Sequence, residues 1–184
     1  TEWLSRSDGR LEILQNWSTV ASKKVCSLSL KNTPLAEQRV FVYAGNMGIA
    51  QGMGVLMELA EKMIDRPDIG FLFVGRGSEV LKLKSYAKER ELGNILFCDE
   101  IDPEEIPSLY DQCDIGLVAL DPKHKSHNIP GKFISYMGSG LPVLATVNKG
   151  NDIVDIIDSY GVGRVHTADS TMSLCELAKS LLAD

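Results

Sequence analysis

Arg39 to Gly54 reads RVFVYAGNMGIAQGMG. Its first seven residues form a β-rich apolar run ending on Gly45, as expected of a strand buried on both faces of a parallel sheet. Glycines at 45, 48, 52 and 54 make the next stretch a loop. Val55, Leu56, Leu59 and Met63 then recur at helical spacing, which predicts a helix to about Ile64.

The same unit repeats downstream. Ile69 to Val74 (IGFLFV) is a second buried strand, Gly75-Arg76-Gly77 a tight turn, and Ser78 the expected N-cap of a helix running to about Leu92. Ile95 to Cys98 is a third strand. Asp102-Pro103-Glu104-Glu105 then supplies a capping residue, a proline at the first helical position and a glutamate three after the cap, opening a helix to Gln112. Ile115 to Leu120, Leu141 to Thr146 and Arg164 to Thr167 complete the strands. Between and after them come helices at Lys132 to Met137, at Asp152 to Ser159 with Asn151 as cap and Gly161 as stop, and at Ser170 to Ala183. This alternation predicts an α/β fold: a doubly wound, Rossmann-like parallel sheet of about six strands, with right-handed crossovers and helices on both faces.

Upstream the pattern is different. Arg10 to Gln15 could form a short strand, but Ala21 to Gln38 is polar, irregular and interrupted by Pro34. Residues 1–38 read as a lead-in or linker, and 39–184 as the regular domain. A chain of 184 residues with 44% hydrophobic content suits one core plus an entry segment. A net charge of -6 and a pI near 5.1 argue against a nucleic-acid surface and favour a small partner. Cys26, Cys98, Cys113 and Cys175 are widely spread, with no CxxC pair and no clustered histidines, so neither a metal site nor a disulfide framework is indicated. No apolar run reaches the roughly 20 residues of a membrane span, and nothing resembles a signal peptide. The expected location is cytoplasmic, with contact to the inner face of a membrane left open.

In sheets of this kind ligands bind beyond the carboxyl ends of the strands. The loop from Gly45 to Gly54 lets backbone approach a phosphate, although it matches neither GxGxxG nor a P-loop, and a tight structural turn is the alternative. Arg76 is either an anion contact or a solvated surface arginine. Asp121 to Lys132 holds Lys123, Lys125, Lys132, His124 and His127 against a single Asp121 and runs into a helix start. Oriented N–H groups, partial positive charge and an ammonium there make a diphosphate site; the alternative is a solvated basic loop. Lys132 is the strongest single candidate because it sits in the first helical turn beside Gly131. Cys98 to Glu100 borders a base or is an ordinary loop. No spacing indicates a covalent nucleophile.

The motifs VYAGNMGIAQG, FLFVGRGSEV, LYDQCDIGLVAL and PGKFISYMGSGLPVLAT, in this order, resemble the C-terminal, donor-binding domain of GT-B glycosyltransferases, particularly the retaining family 4 type. LEILQNW is similar to the segment where such chains cross from their N-terminal domain. The resemblance covers the chain from about Leu11. It implies a nucleotide-diphospho-sugar donor, UDP-linked by expectation, no required metal or other cofactor, and a glycan or lipid-linked acceptor held by an N-terminal domain. The activity implied is hexosyl or N-acetylhexosaminyl transfer in surface polysaccharide assembly, and this chain alone is expected to be inactive.

Asn46, Gly48 and Gln51 would line the donor, Arg76, Gly131 and Lys132 would meet its phosphates, Ser135 would face the ribose, and His127 would lie beside the sugar as the candidate catalytic residue. Asn46 and Gln51 stand where the family usually has an arginine and a lysine, and His127 and Ser135 where it has two glutamates. Ser135 can hydrogen-bond ribose but supplies no carboxylate. A non-catalytic nucleotide-sugar or phosphate-binding module is therefore the alternative, and a GT-B epimerase a third reading.

Overall fold

The computed structural model describes residues 24–121, 123, 129–168, 170 and 172–183. Six strands form one wholly parallel sheet: β1 (Arg39–Ala44), β2 (Ile69–Val74), β3 (Ile95–Cys98), β4 (Ile115–Ala119), β5 (Val143–Thr146) and β6 (Gly163–His166). Their order, β3-β2-β1-β4-β5-β6, is that of a doubly wound sheet. The expected fold class is the observed one.

Alternate residues of each strand feed two cores, because successive side chains point to opposite faces. Phe41, Tyr43, Phe71, Phe73 and Leu117 pack under α1 (Gly54–Lys62), α2 (Val80–Glu89) and α6 (Leu174–Ala183). Val40, Val42, Leu72, Val118 and Val143 pack under α3 (Ile106–Tyr110), α4 (Gly131–Gly138) and α5 (Asp152–Tyr160). Both faces of the sheet are thus covered, which explains why the strands read as unbroken apolar runs.

Helix ends follow local chemistry. Asn151 accepts from the Ile153 N–H and Gly161 stops α5 at φ 61°, as its sequence indicates. Two expectations are corrected. Ser78 caps nothing: α2 begins at Val80, with Glu79 before it and no side-chain cap. The helix expected from Glu104 to Gln112 is instead a 3₁₀ turn, Pro103–Glu105, followed by α3. Pro107 has no N–H to return to the Pro103 carbonyl, which takes the Ile106 N–H instead. Asp102 does cap that turn, accepting from Glu104 N.

The stretch from Lys24 to Gln38 is docked on this same region. Ser27 gives both its N–H and its hydroxyl to Glu105, Gln112 bonds Leu30 N and Leu28 O, and Leu30 and Leu35 are buried. The strand expected at Arg10 to Gln15 lies outside the described residues.

Candidate functional site

The strand order reverses between β1 and β4, and there the sheet opens. β1 and β4 pair only through Phe41 with Ile115 and Val42 with Gly116, whereas β1 and β2 pair over all six residues of each strand. Tyr136 of α4 fills the gap. Its fully buried hydroxyl lies 3.1 Å from Val42 O, 3.2 Å from Leu117 O and 3.5 Å from Ala44 N, so it serves backbone groups that the parted strands no longer serve for each other. Burial raises the phenol well above the ordinary tyrosine range, and its proton stays on to donate. Gly116 makes room for it: a Cβ there would stand 2.6 Å from the Tyr136 ring.

Above this gap the loops after β1 and β2 lock together by backbone. Met47 N donates to Arg76 O at 2.7 Å and Glu79 N to Met47 O at 3.0 Å. Gly75 and Gly77 permit the contact, since a Cβ on either would fall 2.1 Å from Gly45 O or 2.3 Å from Met47 O, and both have φ near +140 to +150°. Gln51 closes the first loop by accepting from Gly48 N at 3.0 Å and lying 3.4 Å from the Asn46 amide. Asp121, at the end of the strand across the gap, donates its N–H to Ala50 O.

Between these loops, α3 and α4 lies a cavity of about 490 Å³. Gly45, Asn46, Gly75 and Arg76 form its rim toward β1 and β2; Glu100, Ile101, Pro103, Ile106 and Tyr110 form one wall, and Lys132 and Ser135 another. Asn46, Arg76, Lys132 and Ser135 are therefore brought together. Gly48 and Gln51 build the loop behind the rim and do not line the cavity. Gly131 is the exposed first residue of α4, one position from Lys132. His127 lies outside the described residues.

The two cations at the cavity differ. Arg76 is 80% exposed and pairs with Glu100 at 3.0 Å. Lys132 is half-buried, with its Nζ 4.6 Å from the centroid of the buried Tyr43 ring and its Cε against Gly45. The Tyr43 hydroxyl donates to Asn46 O at 2.7 Å and so fixes the ring beneath the ammonium. Desolvation pulls the Lys132 pKa down to about 8, and no carboxylate among the described residues raises it. A half-buried ammonium short of counter-charge, beside a helix start whose first N–H groups lack intrahelical acceptors, favours an anion in the cavity. Ser135 is exposed and turns its hydroxyl back to Gly131 O at 3.3 Å.

Sequence reading missed Tyr43, Tyr136 and the α3 wall apart from Glu100, which belonged to the stretch Cys98 to Glu100 weighed as bordering a base. Only Gly116, inside a run that otherwise reads as a central strand, signalled a close approach. Among the described residues no cluster of His, Cys, Asp or Glu is arranged to hold a metal, and no helix is long and apolar enough to cross a membrane.

Residues 38–184 match the family model described as glycosyl transferases group 1. A probable glycosyltransferase, WbjE, of Pseudomonas aeruginosa is 27% identical over 159 residues, covering 83% of this chain and 39% of its own length. A putative colanic acid biosynthesis glycosyl transferase, WcaI, of Escherichia coli K12 is 24% identical over 123 residues, covering 67% of this chain and 30% of its own length. This chain thus spans well under half the length of either relative. Among solved structures, Anabaena Alr3699/HepE in complex with UDP-glucose superimposes with a TM-score of 0.64 at 17% identity, over 81% of this chain and 39% of that one. With the family model covering the whole sheet and every residue that lines the cavity, the chain belongs to the group 1 glycosyl transferases.

Proposed function

We propose that this chain is the donor-binding domain of a glycosyltransferase that moves a sugar from a nucleotide-diphospho-sugar, UDP-linked by preference, to a glycan or lipid-linked acceptor in surface polysaccharide assembly. The observation that carries the reading is Lys132: a half-buried ammonium beside a helix start, at the switch point of the sheet, in a cavity of nucleotide size. The names of WbjE and WcaI and the UDP-glucose bound by HepE support the reaction and the donor class.

In this reading the diphosphate lies against Lys132 and the first N–H groups of α4 near Gly131. Negative charge grows on it as the glycosidic bond breaks, and a preorganised cation and helix start stabilise that charge more in the transition state than in the ground state. The α3 wall of Ile101, Pro103, Ile106 and Tyr110 offers an apolar surface to the nucleoside. The acceptor would come from a further domain ahead of this one, and His127 would stand near the sugar.

A thermal-shift panel of UDP, GDP, CDP and their sugars tests the site. Saturation at 100 times the dissociation constant adds about 2.7 kcal/mol, and the absence of stabilisation by every nucleotide would sink the reading.

One observation favours a second reading, a binding module without catalysis. Gln51 is engaged within its own loop and Ser135 is bonded to its own helix, so neither replaces the lysine and the carboxylate that the resemblance leads one to expect. Transfer assays on the full-length gene product separate the two: donor binding with no turnover on any acceptor selects the module.

A further inference from the structure

Lys132 also has the setting of a reactive amine. It lines an open cavity, lies over the apolar face of Tyr43, and has no ion-pair partner among the described residues. Lys24 and Lys82 differ: Lys24 is held by Asp102 and Glu104, and Lys82 by Glu79 at 3.1 Å. The charged and titratable groups that share the cavity with Lys132 are Tyr110 and the Arg76–Glu100 pair, with Tyr43 beneath it and Tyr136 on its own helix. Glu100 is already committed to Arg76. A lysine left in a desolvated pocket without a counter-ion is the arrangement that activates amines as nucleophiles.

From this geometry we propose that Lys132 is a modification site, acylated on Nζ by acyl phosphates, whose phosphate is drawn to the same anion-binding corner as the donor diphosphate. The proposal rests on the anion-site reading above. In the reaction the free amine attacks the acyl carbon, the new C–N bond forms, and the bond between the acyl carbon and the bridging phosphate oxygen breaks. Inorganic phosphate leaves with the electron pair, and the extra proton on nitrogen passes to solvent. The product amide has no charge, so acylation removes the cation that the diphosphate requires and switches the site off.

At pH 8 about half of Lys132 is free amine, against roughly 0.4% for a lysine at the ordinary value of about 10.4. Part of that advantage is lost because a less basic amine is a weaker nucleophile, so a rate about tenfold above that of an ordinary lysine is expected.

The test treats the chain with acetyl phosphate at pH 8 and follows acetylation of Lys132, Lys82 and Lys24 by quantitative peptide mass spectrometry. A parallel reaction uses a neutral acetyl ester, and UDP binding is measured on the same preparation by calorimetry. Lys132 should react at least tenfold faster than Lys82 or Lys24, and its lead should be larger with acetyl phosphate than with the neutral ester. A Lys132 rate no greater than theirs overturns the proposal, and an equal lead with both reagents overturns the guidance by phosphate. Slow acetylation in a protein that binds UDP refutes the acylation alone. Fast, phosphate-guided acetylation in a protein that binds no UDP upholds it and refutes UDP as the donor nucleotide.

Discussion

Arg76 and Lys132 contribute to one cavity, but the fold treats them differently. Arg76 hangs from a loop held by backbone hydrogen bonds and glycine contacts; it is mostly in water and already has Glu100 as a partner. Lys132 is set into the first turn of α4, over a tyrosine whose own hydroxyl is tied down, with no counter-charge among the described residues. An exposed ion pair contributes little and exchanges readily with solvent, whereas an unpaired, half-buried cation gains most from an incoming anion. Sequence alone already puts Lys132 first, by its place in a helical turn; burial and pairing supply the physical reason.

The largest effect should come from removing the frame that holds the loops of the rim. Gly77→Val would force a branched side chain into the Met47 backbone at a φ of +152°. We expect a loss of about 3 kcal/mol or more, read as a lowered midpoint in urea denaturation. Near-native stability would mean that the interlocked loops are not what fixes the rim.

Next is the contrast itself. Lys132→Ala should weaken UDP binding by about thirtyfold or more, corresponding to roughly 2–3 kcal/mol for a hydrogen bond from a charged donor. Calorimetric titration measures it, and equal affinity in the variant would remove Lys132 from the site. Stability should move in a way peculiar to this residue. The folded-state pKa of about 8 lies below the unfolded value of 10.5, so between those pH values the unfolded chain binds more protons and stability should rise with pH. Lys132→Met should lack that component of the rise in denaturation curves taken at pH 7.5 and 10.

Tyr136→Phe probes the wedge between β1 and β4. It strips a buried hydroxyl from among Val42 O, Leu117 O and Ala44 N, at a cost of about 1–2 kcal/mol in chemical denaturation with the fold kept. A neutral result would mean that those groups find other partners. The smallest effect is expected at Arg76→Ala: under about 0.5 kcal/mol in stability, because its ion pair is exposed, and less than threefold in UDP affinity. A loss as large as that for Lys132→Ala would erase the distinction between the two cations.

The fold was legible because every central strand is buried on both faces and so leaves an unbroken apolar run, as in IGFLFV and RVFVYAG. Asn151, Gly161 and Asp102 could be read at helix ends because their chemistry acts within a few residues. Ser78 misled because a serine two residues before a helix looks the same in sequence as one that caps it. Of the cavity lining, Arg76 and Lys132 were legible as basic residues in a loop and a first helical turn beyond strand ends, whereas Asn46 and Ser135 came only from the family resemblance. Tyr43 and Tyr136 were not, because each reads as one more aromatic residue in a core pattern. Their roles depend on where β1 and β4 part, a contact between segments more than 70 residues apart. The pairing of Arg76 with Glu100 joins two separate loops and is likewise invisible to local spacing.

The most direct test of the account is the affinity for UDP measured calorimetrically at pH 7 and pH 9.5, in the native chain and in Lys132→Ala. Above pH 7 the charge on the diphosphate is nearly constant, and ionisation of the uracil N–H near the upper pH acts on both proteins alike, so the difference between the two proteins reports the ammonium of Lys132. Native affinity should fall by up to about thirtyfold as the lysine titrates through its pKa of about 8, approaching the variant's value, while the variant shows only the small change that uracil ionisation causes. Equal affinities at pH 7, or the same pH dependence in both proteins, would contradict the claim that Lys132 holds the donor diphosphate.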